Sequence, residues 1–459
     1  MACNWRCAIF ALHCERVRPG NLQPASSPMS KAEPPRTDLN QAPGWYAMLS
    51  APAPAKRLTG QQVADWVVVG AGVTGLAAAR RLAELAPQAR VVLLEEFRLG
   101  YGSSGRNAGF IIDTPHLSEQ FDLESNRRIS RLVIAGRLEL EEHVQKHDID
   151  CEWSPRGHLT AVVERKRVRK LEATCRSLDA IGEKYEWLEG NALADVVGTH
   201  HYHAAVYTPR TVLMNPAALC RGLGDTLPDN VEVFEESPVR RVESGSPVQI
   251  ECAEGSIRAE NVLLTTNAFI TKLGFLRRDV FPLIACGSLT RELTEEEQGV
   301  MGGALDWGIT GIATVRRTLS NRMLFRHSTY YRDDFRLTPK LRAELLATHV
   351  QGLRKRFPML SKLEFEYTWA GVFCMTRNGA SYFGRLERGI FASLGYSGVG
   401  VPRGTISGKL LAEYAMGSES DLISDVETLS GPPRLPPKPL LDVGVRARLA
   451  WHRWQNRAE

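Results

Sequence analysis

The chain has 459 residues, of which 43% are hydrophobic, and its formal net charge is +5. This length allows about three domains, and no run approaches the ~20 apolar residues that a membrane span needs. The positive excess lies at the two ends, because residues 1–45 hold five Lys/Arg against three Asp/Glu and residues 432–459 hold six against two. The part between is nearly neutral, which argues against a nucleic-acid surface on the folded core.

The first 45 residues are predicted to form a flexible N-terminal extension. Five prolines fall between residues 19 and 35, and the hydrophobic residues follow no sustained period. The apolar run at 8–12 is too short for a signal peptide. Met29 is an alternative start of translation, which would make residues 1–28 an upstream artefact.

Nine cysteines are scattered along the chain without a C-x-x-C pair. An odd, scattered set is typical of reduced thiols in a cytoplasmic protein. Cys3, Cys7 and Cys14 are therefore interpreted as incidental rather than as metal ligands.

A strand, a glycine turn and a helix follow one another at residues 64–86. The apolar run 66–69 leads into Gly70-Ala71-Gly72-Val73-Thr74-Gly75, and an Ala/Leu/Arg-rich helix continues to about Ala86. In a dinucleotide-binding unit the first glycine permits the tight turn, the second lets backbone N–H groups approach a pyrophosphate, and the third lets the helix pack on the strand. The helix N-terminus then faces the anion.

A second apolar run, 91–94, ends in Glu95 and Glu96, about twenty residues beyond the third glycine. A carboxylate at this strand end can accept hydrogen bonds from a ribose, and Glu95 is the better candidate because it comes first. The spacing predicts dinucleotide binding but does not distinguish NAD from FAD.

The following loop, 99–109, contains Gly102-Ser103-Ser104-Gly105-Arg106-Asn107-Ala108-Gly109, where a nicotinamide-only domain would more often start another helix. Together with the first unit it resembles the D-amino-acid-oxidase-like superfamily of FAD enzymes, and most of all γ-glutamylputrescine oxidase and its relatives. The resemblance implies that the loop passes over the flavin and helps to hold the pyrophosphate and the ring. The alternative is an ordinary surface loop.

The chain then leaves this unit and returns to it. One or two helices at 118–147, a strand at 157–163 and a charged helix at 165–181 are assigned to a substrate domain. The return brings a helix opening at Met214-Asn215-Pro216 and strands at 231–234, 238–242, 257–259 and 262–268. The resemblance implies an adenine contact near Val239 and a strand end at Thr266 that closes the pyrophosphate side.

Residues 281–365 are predicted to leave the flavin unit again. Strands at 282–290 and 322–327 fit an antiparallel sheet, and residues 339–357 fit a helix. In relatives such a sheet roofs the flavin, so Phe110, His327, Tyr330 and Arg403 become pocket candidates. Side chains satisfied at a sheet edge are the alternative for His327 and Tyr330.

The final return begins at Tyr367-Thr368-Trp369-Ala370-Gly371 and reaches a strand at 390–394. Gly395-Tyr396-Ser397-Gly398-Val399-Gly400-Val401 follows, with a helix from about Gly404 to Met416. Such a turn presents N–H groups and a positive dipole end, which suits the negative charge of a reduced flavin. The resemblance covers residues 45–417, with Val399 where relatives often carry histidine.

The predicted fold class is α/β, with a discontinuous Rossmann-like FAD-binding domain interleaved with an α+β substrate domain whose sheet is mostly antiparallel. The predicted FAD-binding segments are 46–117, 205–275 and 366–431, and the substrate segments are 118–204 and 276–365. The candidate cofactor-binding residues are Gly70, Gly72, Val73, Thr74, Gly75, Glu95, Glu96, Ser103, Ser104, Arg106, Asn107, Val239, Thr266, Gly395, Gly398, Val399, Gly400 and Val401.

The resemblance implies oxidation of an amine or amino acid derivative by hydride transfer to flavin N5, with oxygen as acceptor and hydrogen peroxide as product. A flavin dehydrogenase that uses a carrier or quinone, and a non-catalytic flavoprotein, stay open. No acid–base triad is evident, and the His200-His201-x-His203 stretch lacks the partners of a metal site.

Relatives that oxidise free amino acids often carry an arginine shortly after the Trp-x-Gly motif, where it can hold a carboxylate bidentately. Here that stretch is Val372-Phe373-Cys374. We therefore expect an amine, or an amine whose carboxylate lies far from the reacting carbon, although Arg106 and Arg403 could supply a contact from another direction. Cys374 is also a candidate for covalent flavin attachment, with a small buried hydrophobe as the alternative.

The proline-rich segment 432–439 is predicted to be a stiff linker. An apolar helical stripe follows it, flanked by arginines, and consists of Leu440, Val443, Ala447, Ala450, Trp451 and Trp454. The flanking residues are Arg446, Arg448, Arg453 and Arg457. Either the stripe contacts an anionic membrane surface, or the helix docks on its own flavin domain.

Overall fold

The computed structural model describes residues 42–112 and 122–456. The predicted features at Met29, at Cys3, Cys7 and Cys14, at the prolines 19–35 and at Arg457 lie outside these residues, as do residues 113–117 of the first predicted flavin segment.

The strands, in chain order, are β1 (Gly60–Val69), β2 (Val91–Leu94), β3 (Phe110–Ile111), β4 (His158–Val162), β5 (Glu186–Glu189), β6 (Ala204–Thr208), β7 (Val212–Leu213), β8 (Val231–Phe234), β9 (Val239–Glu243), β10 (Val248–Cys252), β11 (Gly255–Leu264), β12 (Val280–Thr290), β13 (Trp307–Thr310), β14 (Thr314–Arg317), β15 (Met323–Tyr330), β16 (Phe365–Thr376), β17 (Tyr382–Glu387) and β18 (Ile390–Leu394).

The α-helices are α1 (Gly44–Ala47), α2 (Val73–Leu85), α3 (Leu123–Lys146), α4 (Val168–Ile181), α5 (Gly190–Val197), α6 (Pro216–Asp225), α7 (Glu295–Met301), α8 (Pro339–Arg356), α9 (Gly400–Ala415), α10 (Asp421–Thr428) and α11 (Lys438–Gln455). Short 3₁₀ turns cover Ser103–Arg106, Arg165–Arg167, Asn267–Leu273 and Pro358–Leu360.

The first sheet has the order β17-β18-β11-β1-β2-β8, and its strands from β18 to β8 run parallel. Its central strands are apolar runs because both faces are buried. Val68 packs with α2 and α9 on one face, whereas Val67 and Val69 join the core on the other. The carboxyl ends of these strands meet at one edge, where ligands bind in open α/β sheets.

The second sheet has the order β16-β12-β15-β14-β13-β4-β6-β5, and its pairs are antiparallel except for β13 with β4. A parallel sheet with flanking helices and a mostly antiparallel second sheet confirm the predicted fold class.

Several predicted boundaries differ from the structure. β6 and β16 belong to the second sheet, although residues 205–208 and 366–376 were assigned to the flavin domain. The reason for β16 is its long antiparallel register with β12, from Val280 opposite Thr376 to Thr290 opposite Phe365. The return to the first sheet therefore comes at Tyr382, and the domain division itself stays a prediction. The two short strands predicted at 257–259 and 262–268 form one strand, β11, which ends at Leu264, so residues 265–268 lie beyond it.

The predicted N-terminal extension reaches too far. Trp45 of α1 is fully buried between Leu289, Leu324 and Trp369, and its indole N–H donates to the Asn107 carbonyl at 2.9 Å. Trp45 follows a segment that prolines interrupt, and no hydrophobic residues recur around it at helical or strand spacing. Its burial therefore could not be predicted from a hydrophobic pattern. Of the predicted extension, residues 1–41 lie outside the described part of the chain.

The C-terminal helix α11 begins inside the proline-rich segment and docks on the second sheet rather than on the flavin sheet. Leu435, Val445 and Leu449 are buried against Phe281 and Leu283. The Tyr331 hydroxyl donates to Asp442 at 2.8 Å. The predicted apolar stripe is not the docked face, because its largest members are more than half exposed: Leu440, Val443, Trp451 and Trp454.

Candidate cofactor and substrate site

The glycine turn after β1 leaves no room for side chains. Gly70 has a φ of +98°, a left-handed conformation that glycine adopts without strain. A Cβ at Gly72 would lie 2.7 Å from the Ser104 hydroxyl, and one at Gly75 would lie 1.8 Å from the Gly70 carbonyl oxygen. Gly75 therefore permits the close packing of α2 on the strand, while Gly72 keeps the approach to the helix N-terminus open.

Glu95 closes this turn from the end of β2. Its carboxylate accepts the Ala71 N–H at 2.8 Å and the Phe97 N–H at 3.0 Å. Burial raises the pKa of Glu95, and the two backbone N–H groups oppose that shift. A carboxylate fixed beside the glycine turn is placed where a nucleotide ribose would offer its hydroxyls.

The polar loop 99–109 is fixed to the rest of the molecule by two tryptophans. The Trp369 indole donates to the Arg106 carbonyl at 3.0 Å, and Trp45 holds the next carbonyl, that of Asn107. The Ser104 hydroxyl accepts the Val73 N–H of α2 at 3.1 Å. The loop thus joins the first glycine motif to the second sheet, in contrast to an ordinary surface loop.

Arg106 spans the gap between this loop and β16. Its Nε donates to the Tyr101 carbonyl at 2.7 Å and its Nη1 to the Ala370 carbonyl at 3.1 Å. The guanidinium lies 4.7 Å from the centre of the Tyr101 ring, and burial lowers its pKa to about 10. Arg106 therefore positions the loop as well as lining the cavity.

The second glycine turn meets the first around Thr74. The Thr74 hydroxyl donates to the Tyr396 hydroxyl at 3.3 Å. Helix α9 crosses α2 so closely that a Cβ at Gly408 would lie 2.0 Å from the Thr74 carbonyl oxygen. Helix α9 begins at Gly400, earlier than the predicted Gly404. Two motifs more than 320 residues apart along the chain are thereby brought to one place.

These elements enclose a cavity of about 440 Å³ between the carboxyl edge of the first sheet and one face of the second, a size usual for small-molecule sites. Most of the predicted residues line it: Gly70, Gly72, Val73, Thr74, Glu95, Glu96, Ser103, Ser104, Arg106, Asn107, Phe110, Val239, Thr266, Gly398, Val399, Gly400 and Val401. Their contact with a cofactor stays a prediction.

Five predicted residues do not line this cavity: Gly75, Gly395, His327, Tyr330 and Arg403. A Cβ at Gly75 would point at the Gly70 carbonyl oxygen, and a Cβ at Gly395 would point at Thr376 and Ser381. Arg403 is buried in the first turns of α9, where burial lowers its pKa.

His327 and Tyr330 do not face the cavity because of the geometry of β15. Leu324 and Arg326 face the cavity, so the alternation of a strand turns His327 to the other side, where burial lowers its pKa to about 4. Ser328 then has a φ of +69°, which ends the alternation. Tyr330 lies under the Arg453 guanidinium of α11, 5.5 Å from its ring centre.

The wall contributed by the second sheet has one member that the sequence singled out, Cys374, as a candidate for covalent flavin attachment. It comprises Ala285, Cys286, Gly287, Thr310, Thr314, Leu324, Arg326, Phe373 and Cys374, and Phe269, Lys272 and Phe335 add to it nearby. Alternation along each strand could have grouped these residues on one face, but only the register between strands places them together.

The residues present fit a bound FAD. The hydroxyls of Ser103 and Thr266 are buried, belong to residues that line the cavity and have no hydrogen-bond partner among the described residues. Buried polar groups are ordinarily paired, so two such hydroxyls beside an open glycine turn favour a polar ligand there. The cradle would hold the pyrophosphate at Gly72 and the ribose at Glu95.

Neither a metal centre nor a membrane span is found within residues 42–112 and 122–456. No group of three or more His, Cys, Asp or Glu side chains there could hold a metal ion, and burial lowers the pKa of His201 to about 4. None of the helices described is both long and apolar enough to cross a bilayer.

Comparison with known proteins agrees with this geometry. Residues 65–414 match the family described as FAD dependent oxidoreductase. The gamma-glutamylputrescine oxidoreductase of Escherichia coli is 28% identical over 385 residues, which cover 80% of this chain and 86% of that protein.

Two solved structures share the fold. Glycine oxidase from Geobacillus kaustophilus superposes with a TM-score of 0.66 at 19% identity, covering 78% of this chain and 96% of its own. L-proline dehydrogenase from P. horikoshii gives 0.63 at 19% identity, covering 81% and 97%.

Proposed function

The chain belongs to the family of FAD-dependent oxidoreductases that act on amines or amino acids, and from this we propose that it oxidises the C–N bond of a small amine or amino acid derivative to an imine, which water then hydrolyses. FAD is its cofactor, as the glycine motifs predicted, and supplies the hydride acceptor when bound. The observation that carries the proposal is one cavity running from the dinucleotide turn to the second sheet.

The chain's own residues would bind and orient the substrate rather than transfer its proton. The second-sheet wall offers aromatic and aliphatic side chains that exclude water, including Phe373 and Leu324. Its two cysteines stay protonated and so cannot accept the substrate's proton, because burial raises the pKa of Cys286 to about 12 and that of Cys374 still further. The amine would therefore react as the neutral species, with its proton lost to solvent before the amine enters the site.

We propose oxygen as the electron acceptor and hydrogen peroxide as the product. Val399, the N-cap residue of α9, supports no acid–base contribution at this turn, so reoxidation would depend on oxygen access and on the N–H groups of the turn. A dehydrogenase that delivers electrons to a carrier or quinone is the second candidate.

The proposal is tested by anaerobic reduction of the holoenzyme. The panel comprises polyamines, γ-glutamyl amines, N-methyl amino acids and cyclic imino acids, and bleaching of the flavin absorbance identifies a substrate. Admission of air then separates the acceptors, because rapid recovery with hydrogen peroxide formation supports an oxidase and slow recovery supports a dehydrogenase. A holoenzyme that no member of the panel bleaches would be a non-catalytic flavoprotein.

The exposed side of α11 supports the carrier alternative through peripheral membrane contact. Trp451 and Trp454 are 51% and 55% exposed, with ring centres 5.1 Å apart, and tryptophans beside arginines favour an anionic interface. Replacing both with serine leaves the docked face intact. Loss of binding to anionic vesicles at an unchanged melting temperature would support the contact, and absence of vesicle binding by the unaltered chain would refute it.

We also propose that the enzyme acts in the cytoplasm. Six of its cysteines lie in the described ranges, and all are free and buried, which suits a reducing compartment. Fractionation of cells that produce the native protein tests this assignment, and recovery from an oxidising compartment would contradict it.

A further inference from the structure

The C-terminal helix α11 contacts the loop that joins β15 to α8, although the helix lies beyond residues 65–414, which match the family. The Tyr331 hydroxyl of this loop donates to the Asp442 carboxylate at 2.8 Å, and Tyr331 is only 7% exposed. Lys438, in the first turn of α11, forms an ion pair with Asp333 at 2.5 Å. The helix therefore holds the loop at two points, one of them at a buried tyrosine.

The same loop reaches the cavity at Phe335. This residue lines the cavity, and its ring stacks on that of Phe269, another lining residue, with ring centres 4.8 Å apart. The ammonium of Lys272, also at the cavity wall, lies 4.9 Å from the Phe335 ring centre and donates to the Asp333 carbonyl at 3.4 Å. A continuous set of contacts thus connects α11 with one side of the cavity.

The backbone of Phe335 depends on surrounding contacts for its conformation. Its φ is +59°, in the left-handed region that phenylalanine adopts only at a cost in free energy. A hydrogen bond to a carboxylate contributes free energy of the same order as this cost. Ser328, on the other side of Tyr331 in the loop, has a φ of +69°. The segment held by α11 therefore lies between two residues whose backbones would relax if it were released.

We propose that Asp442 is a positioning residue for the cavity: it holds Tyr331 and thereby keeps Phe335 at the cavity wall, so that this side stays closed around the substrate. The effect on the substrate rests on the proposed amine oxidation, whereas the effect on the loop does not. The ion pair of Lys438 with Asp333 is a minor part, because the two side chains are 66% and 41% exposed and exposed ion pairs contribute little.

The test compares the holoenzyme with Asp442→Ala, Tyr331→Phe and the double variant by hydrogen exchange. The Phe335 N–H donates to the Arg332 carbonyl at 3.2 Å, so its exchange reports opening of the loop. Each single variant should raise that exchange rate by about tenfold to a hundredfold. The double variant should exceed neither by more than about twofold, because both changes remove the same hydrogen bond. Val443→Ala is the matched control, since its side chain is 69% exposed.

Two further measurements report the cavity itself. Acrylamide quenching of flavin fluorescence measures access of a small neutral molecule, and its quenching constant should rise by about twofold or more in Asp442→Ala. With the panel amine that bleaches the flavin at the lowest concentration, KM should rise at least about threefold while kcat stays within about twofold, because the contact affects binding rather than the reacting atoms. A merely structural contact would move neither quantity.

Two results would overturn the inference. One is exchange of Phe335 in Asp442→Ala that stays within about twofold of the unaltered enzyme. The other is faster exchange with unchanged quenching and unchanged KM, because the contact would then hold the loop without affecting the cavity. Should Asp442→Ala fail to fold or to retain FAD, Tyr331→Phe decides by the same measurements, since it removes only the hydroxyl.

Failure of the positioning role and failure of the oxidation can be told apart. If no amine bleaches the flavin while exchange and quenching both rise in Asp442→Ala, the positioning role stands and the proposed oxidation does not. If amines bleach the flavin but Asp442→Ala changes neither exchange nor quenching, the oxidation stands and the positioning role does not.

Discussion

Substitution of Gly72 by valine tests the cofactor site without straining the backbone. Gly72 is the N-cap of α2, with φ −76° and ψ 178°, an extended conformation that any residue adopts. A side chain at residue 72 is therefore prevented only by the lack of space, since a Cβ there would lie 2.7 Å from the Ser104 hydroxyl. Valine forces that hydroxyl away and places two methyl groups in front of the helix N-terminus.

The expected loss can be estimated from the hydrogen bonds at this turn. Displacing Ser104 costs its bond with the Val73 N–H, about 1 kcal/mol. Hydrogen bonds to a charged group contribute about 1.5–3 kcal/mol each, so blocking two N–H contacts to the pyrophosphate costs roughly 3–6 kcal/mol, or about 10²- to 10⁴-fold in FAD affinity.

The assay is FAD titration of the apoprotein, together with the flavin content of the purified chain, which we expect to be one FAD per chain before substitution. Ser104→Ala separates the lost hydroxyl from the blocked approach, and it should weaken FAD by no more than about tenfold. Gly299→Val is the matched control, because no atom outside the adjacent backbone of its own helix lies within 4 Å of the Cβ position of that glycine. Undiminished FAD content in Gly72→Val would refute the assignment of the turn.

Three further predictions concern buried groups. Because Cys374 is 2% exposed with a raised pKa, acid precipitation should leave a colourless pellet with all flavin in the supernatant, and a yellow pellet would establish a covalent link. Burial lowers the pKa of His158 to about 3, so the unfolded state binds a proton that the folded state does not, and stability falls as the pH drops below about 6.5. In urea unfolding, His158→Gln should therefore lose about 1.4 kcal/mol less free energy of unfolding between pH 7.5 and 5.5 than the unaltered protein does. Equal losses would contradict a neutral imidazole in the folded state. Asp306→Ala leaves the fully buried Arg316 without its carboxylate partner at 3.1 Å, which should cost about 3–5 kcal/mol of unfolding free energy, and a change below about 1 kcal/mol in the same assay would show that the pair is not desolvated.

Local patterns were sufficient for the dinucleotide half of the site. The order of strand, glycine turn, helix and acid at 66–96 is contiguous, so the contacts of Glu95 with Ala71 and the spacing of Gly70 and Gly72 all arise within one unit. Helix α2 and strand β2 match their predicted ranges for the same reason. Residues that are close together in the sequence therefore determine the geometry of this turn.

The substrate half depends on contacts that no local pattern records. Arg326 reaches the cavity because β15 pairs with β12 and β14 in one register, and the irregularity between Ala285 and Gly287 decides which residues stay on that face. A shift of one residue would turn His327 inward and Arg326 outward. Sequence alternation alone allowed either orientation, and the structure places Arg326 rather than His327 on the cavity side.

Helix α11 shows the same ambiguity on a helix. The stripe from Leu440 to Trp454 has the spacing of a buried face, but the residues that dock are Leu441, Val445 and Leu449, about half a turn away. A helix with two apolar stripes has no preferred side until a partner surface exists, and the partner here is built from β12 and β16, more than 60 residues earlier in the chain. The docked stripe alone packs α11 against the second sheet. The large exposed residues on the other side do not contribute to that packing, so a contact outside the molecule is a separate role for them. That is why vesicle binding, rather than stability, is the measurement that distinguishes a role for Trp451 and Trp454.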